Sequence, residues 1–209
     1  MSSAIHISKL TGKLEDFRAI SVNTLTNEFC NKMHNSQYVK KDHICPKCYS
    51  FALLTGFRKN VAPALERNSR LLSSRLLSYD ELPFINDAYF RFDAHGELIN
   101  HTHLLNYINI TRKNYGCNFA LWTKRKDLIN RYFKLGLTKP DNLILIYSNP
   151  RISNIMDTPP KYFDRTFNNV LEHEEVEHQN CTGQQCKNCL LCYTPNNGVT
   201  TIVEKVKRY

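Results

Sequence analysis

No run of apolar residues approaches the roughly 20 that a helix needs to cross a bilayer, so no membrane span is expected. The stretch from Met1 to Gly12 lacks the apolar core of a signal peptide. A secreted route is thus without support, and a reducing cytoplasm is the expected compartment. There, grouped cysteines serve metal or redox chemistry more often than disulfides. Low-complexity tracts and internal repeats are absent. So are Gly-x-Gly-x-x-Gly, Walker and Gly-x-Ser-x-Gly motifs, which leaves nucleotide hydrolases and serine hydrolases unsupported.

What is there suits a folded protein. The chain has 209 residues, 42% hydrophobic and 22% charged, enough for one packed domain or one domain with a small metal-bound lobe. The net charge is +9, which favours polyanions such as nucleic acid, nucleotides or phosphorylated substrates. The basic residues are dispersed, however: Lys40–Lys41, Arg58–Lys59, Lys124–Arg125–Lys126 and Lys205 to Arg208. A surplus that merely keeps the protein soluble accounts for them equally, and a nucleic-acid or other polyanion partner stays open.

Three short apolar runs read as buried strands: Ala88–Phe92, Asn118–Trp122 and Asn142–Tyr147. Between them, Asn100–Tyr115 and Lys124–Leu135 carry apolar residues at helical spacing. Gly116 and Gly136 stand where helix C-caps are expected. Strand and helix thus alternate with short connections, the signature of parallel βαβ units. Upstream, Ala19–Leu25 reads as a further strand, and Tyr49–Gly56 and Val61–Leu77 as helices. The fold class is therefore α/β: a partial (β/α) barrel or an open parallel sheet. Residues 1–160 are expected to form it, with an N-terminal cysteine loop. Residues 161–209, less regular after Arg151, read as a cysteine-rich segment packed on that domain.

Seven of the eight cysteines fall into two groups. Cys181, Cys186, Cys189 and Cys192 are spaced C-x4-C-x2-C-x2-C. Cys45 and Cys48 form a C-x2-C pair, with Cys30 fifteen positions earlier. Cys117 stands alone before a strand and reads as a small core residue. A C-x2-C turn aims two thiolates at one metal. Structural zinc usually takes two such pairs a dozen or more residues apart. Here they run together as C-x2-C-x2-C, a ferredoxin-like pattern that points to a [4Fe–4S] cluster, with zinc as the alternative. Cys30, Cys45 and Cys48 could hold a cluster by three irons, or could join the C-terminal cysteines in one shared site.

The order Cys45-Pro-Lys-Cys-Tyr49, then Arg91 to Glu97, Ala120 to Lys124, Tyr147-Ser-Asn149 and the terminal cysteine motif resembles the phage-encoded "gene product eighty-eight" family of cysteine-rich proteins. The likeness runs from about Cys30 to Tyr193. It implies a phage-type iron–sulfur protein, in a host cytoplasm. That family is distantly similar to radical SAM barrels, in which three cysteines after the first strand hold a [4Fe–4S] cluster whose free iron binds S-adenosylmethionine. The resemblance thus implies Cys30, Cys45 and Cys48 as a reactive site. The first interval here is fourteen residues rather than the usual three.

Asp93, His95 and Glu97 alternate after a predicted parallel strand, and on an extended segment would share one face. Ligands of parallel α/β folds bind at that end of the strands, so these three, with Lys124, are candidate catalytic groups. Tyr49, Arg91 and Ser148 are candidates for cofactor contact. His101 and His103 sit at a helix start, where residues two apart do not share a face, and His173 and His178 read as solvated. The alternative function is a zinc-stabilised nucleic-acid-binding protein.

Overall fold

The computed structural model describes residues 4–35 and 42–206; the basic residues Lys40, Lys41, Lys207 and Arg208 lie outside them. The elements run β1 (Ser8–Lys9), β2 (Arg18–Ile20), α1 (Glu28–Asn35), α2 (Tyr49–Thr55), α3 (Ala62–Ser74), β3 (Tyr89–Phe92), α4 (His101–Lys113), β4 (Asn118–Thr123), α5 (Lys126–Lys134), β5 (Leu143–Ile152), β6 (Arg165–Leu171), α6 (Cys186–Cys189) and β7 (Thr201–Val206). The strands form one open seven-stranded sheet in sequence order, β1 to β7. Only β1 runs antiparallel to its neighbour; β2 to β7 are parallel.

This order follows from the sequence. Parallel strands need crossovers, and right-handed crossovers between successive neighbours all return on the same side. The side chains show that side. Ile20, Phe90, Phe92, Phe119, Leu121, Leu143 and Leu145 pack with Leu72, Leu104, Tyr107, Ile108, Leu128 and Tyr132 from α3, α4 and α5. Alternate residues point the other way, as the two-residue period of a strand requires. Ala19, Ala120, Trp122, Ile144 and Ile146 form a second cluster with Phe17 and Tyr193, and Leu190, Cys186 and Cys192 pack against it. The helix-free face of the sheet is thus covered by the cysteine-rich segment.

The stretch expected to be irregular after Arg151 contributes two strands. β6 and β7 extend the same sheet, so residues 161–209 hold both sheet and cysteine loop. The loop is tied down by Arg165, 3% exposed, whose guanidinium donates to the carbonyls of Leu191 and Thr194 and to Asn197 Oδ1. The first predicted strand, Ala19–Leu25, is shorter and earlier, at Arg18–Ile20. Among the described residues no helix is long and apolar enough to cross a membrane.

Replacing Arg165 with Met strands three acceptors and should cost about 3 kcal/mol, with the loss concentrated in the loop it holds. Limited proteolysis should then cut between residues 180 and 200 before the sheet unfolds. Equal protease resistance in wild type and R165M would refute the clamp.

Candidate metal centres and the mouth of the sheet

The N-terminal cysteines are carried to the C-terminal ends of the strands by specific anchors. Asn27, buried, accepts from the Cys30 backbone N–H at 3.0 Å and donates to the Glu97 carbonyl at 2.7 Å. This fixes the start of α1, and with it Cys30, beside the segment that follows β3. Cys45 opens a 3-10 turn, Cys45–Lys47, closed by Cys48 N–H donating to Cys45 C=O at 3.1 Å. The chain before it is pinned to the long end of β5: Ile44 N–H donates to Pro150 C=O at 2.8 Å and Ile152 N–H to Asp42 C=O at 2.6 Å. The loop therefore lies across the mouth of the sheet from β2 to β5.

Beneath it sit Glu97 and Lys124. The Glu97 carboxylate accepts from Thr123 Oγ1 at 2.5 Å, from Lys124 N–H at 2.7 Å and from Leu98 N–H at 2.9 Å. Burial pushes its pKa up, while Lys124 and these donors oppose the rise. Lys124 Nζ donates to Ser148 Oγ at 3.0 Å, so the ends of β4 and the middle of β5 face one cleft. Burial disfavours the Lys124 ammonium, but Cys45, Glu97, Cys48 and Cys30 around it outweigh that and raise its pKa. Burial also pushes the Cys30 thiol up, with Glu97, Cys48 and Cys45 adding to the effect. Three thiols, one ammonium and one carboxylate thus share one partly desolvated space.

Asp93, His95 and Glu97 do not share a face. Asp93 takes φ +55°, so the chain leaves the strand there, and each side chain finds its own partners. Asp93 Oδ1 accepts from Tyr107 Oη at 2.8 Å on the helix side, and Oδ2 is buried with no partner. Burial and then Glu97 push its carboxyl well up. His95 ends a hydrogen-bonded chain: Gly96 N–H donates to Thr24 Oγ1 (2.8 Å), which is bonded to Ser50 Oγ (2.5 Å), which is bonded to His95 Nδ1 (2.8 Å). Gly96 is required here: at φ +81° an added Cβ would stand 2.6 Å from the Val22 carbonyl oxygen. The Tyr49 hydroxyl donates to the Ala94 carbonyl.

The C-terminal cysteines form the other set. Cys181 is held beside β7 by its N–H donating to Val203 C=O at 3.0 Å. Cys186 and Cys189 bound α6, and Leu190 turns the chain at φ +53°. Burial, followed by Cys181 and Cys186, pushes the Cys192 thiol up to about 12. Lys13 Nζ approaches Cys181 Sγ at 3.8 Å, and Gln184 Nε2 approaches Cys189 Sγ at 3.3 Å. Neither contact has a local sequence signal; Lys13 is 168 residues from its cysteine. The thiols that act on Cys30 and Cys45 are N-terminal ones, and those that act on Cys186 and Cys192 are C-terminal ones.

All eight cysteines are free thiols, and Cys117 is buried in the core. Among the described residues, no group of three or more Cys, His, Asp or Glu is already drawn up to hold a metal ion. The donor chemistry fits a thiolate-bound centre: three soft ligands in one set, four in the other, each beside cations. A cavity of about 770 Å³ opens beside the N-terminal set, lined by His34, Cys48, Phe51, Ile152, Leu171 and Val206 among others.

Burial holds His95 at about 4, helped by Arg58 and Arg91, and burial alone holds His103 at about 3, against 6.5 for a free imidazole. The unfolded chain therefore binds protons that the folded chain refuses. Stability from the neutral rings is complete above about pH 6.5 and is lost as pH falls toward 4, by about 3 kcal/mol for His95 alone. Urea unfolding of His95→Gln should show a smaller loss over that window than wild type; an equal loss would refute the assignment.

Comparison with protein-family models, with curated proteins and with solved structures gives no match to this chain.

Proposed function

We propose that this chain is an iron–sulfur protein of the phage gene-product-eighty-eight kind, with two separate centres on a partial barrel. Cys30, Cys45 and Cys48 would hold a [4Fe–4S] cluster at the mouth of the sheet, and Cys181, Cys186, Cys189 and Cys192 a second. The observation that supports this reading is the placement of seven free thiols, Cys30, Cys45 and Cys48 on loops tied to the strand ends and Cys181, Cys186, Cys189 and Cys192 in the segment beside β7. Four thiolates complete a cluster's ligands; three leave one iron open, the arrangement that reaction chemistry needs. The three-ligand set also occupies the place where ligands bind in parallel α/β folds.

A cluster held this way supplies electrons and, by the family resemblance, a binding place for S-adenosylmethionine. The chain's own residues would do the rest. Lys124 balances thiolate charge from below, and Glu97, held by three donors, keeps Lys124 in place. His95, whose pKa burial lowers to about 4, would serve as a neutral imidazole rather than as a proton shuttle. Asp93, whose carboxyl burial pushes well above the usual carboxylate range and whose Oδ2 has no partner, is the acid in this space that burial most favours keeping protonated.

Anaerobic reconstitution with iron and sulfide should give a brown protein absorbing near roughly 400 nm, with iron for two clusters. Replacing Cys30, Cys45 and Cys48 together with Ala should remove about half of that iron, and S-adenosylmethionine should then no longer perturb the spectrum. A colourless chain with stoichiometric zinc and no sulfide would sink the proposal and favour a zinc-stabilised nucleic-acid-binding protein. Its binding should then weaken steeply with salt.

A further inference from the structure

The cavity of about 770 Å³ beside the N-terminal cysteine loop has two walls with different origins. One is a face of α2. Cys48, Phe51, Ala52 and Thr55 stand at i, i+3, i+4 and i+7, which is a single helical face running from the N-cap. Ser50 and Leu54 are the buried residues of this helix, so the face turned to the cavity is its other side. The second wall is the end of the sheet. Ile152, Leu171 and Val206 are the last residues of β5, β6 and β7, and all three line the cavity. Three adjacent parallel strands thus end in aliphatic side chains around one space. Ligands of open parallel sheets bind outside these strand ends. The volume lies in the range of small-molecule sites, roughly 300–1,000 Å³.

His34, near the end of α1, supplies a polar group to the lining. Its ring lies flat on that of Phe51, with centroids 3.9 Å apart and planes within 6° of parallel. Its Nδ1 is 2.9 Å from the Cys45 carbonyl oxygen. A carbonyl only accepts, so Nδ1 carries the proton, and in the neutral ring Nε2 holds a lone pair. Among the described residues nothing donates to Nε2. Lys47 and Glu172 stand exposed at the rim with opposite charges, so the site favours neither sign of ligand. A flat ring pair, an aliphatic wall and one acceptor define the chemistry of an occupant. We propose that the cavity is a binding site for a flat, uncharged aromatic compound with one N–H or O–H donor. Its ring is set against Phe51, Ile152, Leu171 and Val206, and its donor is bonded to His34 Nε2. This inference goes beyond the iron–sulfur reading and rests on no metal in either cysteine set.

Carbazole and fluorene share one flat tricyclic shape, but the N–H of the first is a methylene in the second. Both fluoresce, so binding is read as a rise in anisotropy when the full chain, kept reduced, is added. Wild type should bind both saturably at one site per chain, carbazole about fivefold more tightly, the worth of one hydrogen bond. Ala52→Trp fills the cavity from an exposed helix position and should weaken both at least about tenfold, because it takes the apolar surface they bury. His34→Phe keeps the stacked ring and loses the acceptor. Carbazole should then fall to the affinity of fluorene, and fluorene should be unchanged. No saturable binding to wild type overturns the proposal, as does undiminished binding to Ala52→Trp. A carbazole preference that survives His34→Phe, or that wild type lacks, overturns the bond to His34 and with it the assigned ligand class. The readout needs no metal, so it is decided separately from the iron–sulfur reading.

Discussion

A parallel sheet whose strands follow one another in sequence order can cover only one of its faces with its own crossovers. That constraint governs this protein. Helices α3, α4 and α5 take one face, and the other has to be covered by something that is not a crossover. The chain uses the segment around Leu190 to Tyr193. Tyr193 is 1% exposed, with its ring 4.5 Å from Phe17 and 5.6 Å from Trp122. Burying such a ring contributes about 2 kcal/mol or more. Because Cys186 and Cys192 flank it, core packing carries thiols onto the inner face. The placement of these thiols and hydrophobic burial are therefore served by the same stretch of chain.

The mouth of the sheet is organised by charge in the same economical way. One ammonium, Lys124, faces three thiols and a carboxylate, and one hydroxyl, Ser148, takes its proton donor. Glu97 is fixed by side-chain and backbone donors, Thr123 and Lys124, from the end of the next strand. Asp93 and His95, only four and two residues away, are turned out of that space by a left-handed residue and a glycine. Three polar residues in a row thus acquire three environments: a carboxyl that resists ionisation, an imidazole that resists protonation and a carboxylate set against a lysine.

Much of this was legible in the sequence. The aromatic and aliphatic runs mark β3, β4 and β5 because both faces of those strands are buried, and the helices between them show their apolar stripe. Lys124 and Ser148 were legible as cleft residues because they end or follow such runs. β6 was not, and its burial explains why. Arg165, Thr166 and Asn168 are buried along with Val170, while Phe167 and Leu171 are half-exposed. Asn168 is satisfied by Asn149, Met156 and Ile202. A strand with its polar residues inside carries no hydrophobic alternation to find. The two cysteine groups were legible from their spacing, but their places in the fold were not: spacing reports neighbours along the chain, whereas Asn27, Pro150 and Val203 anchor the loops that carry the thiols. Asp93, His95 and Glu97 misled because alternation implies one face only while the backbone stays extended.

The two edges of the open sheet meet through side chains. Lys13, from the turn between β1 and β2, pairs with Glu204 on β7, and Asp16 of the same turn pairs with Lys187 on α6. Such partly exposed pairs are individually weak and are screened by salt. A barrel sealed by a hydrogen-bonded ladder has a fixed circumference, since adding width means breaking a whole row of backbone bonds. Here the two edges approach through side chains alone, these two ion pairs together with the Phe17–Tyr193 ring contact behind them.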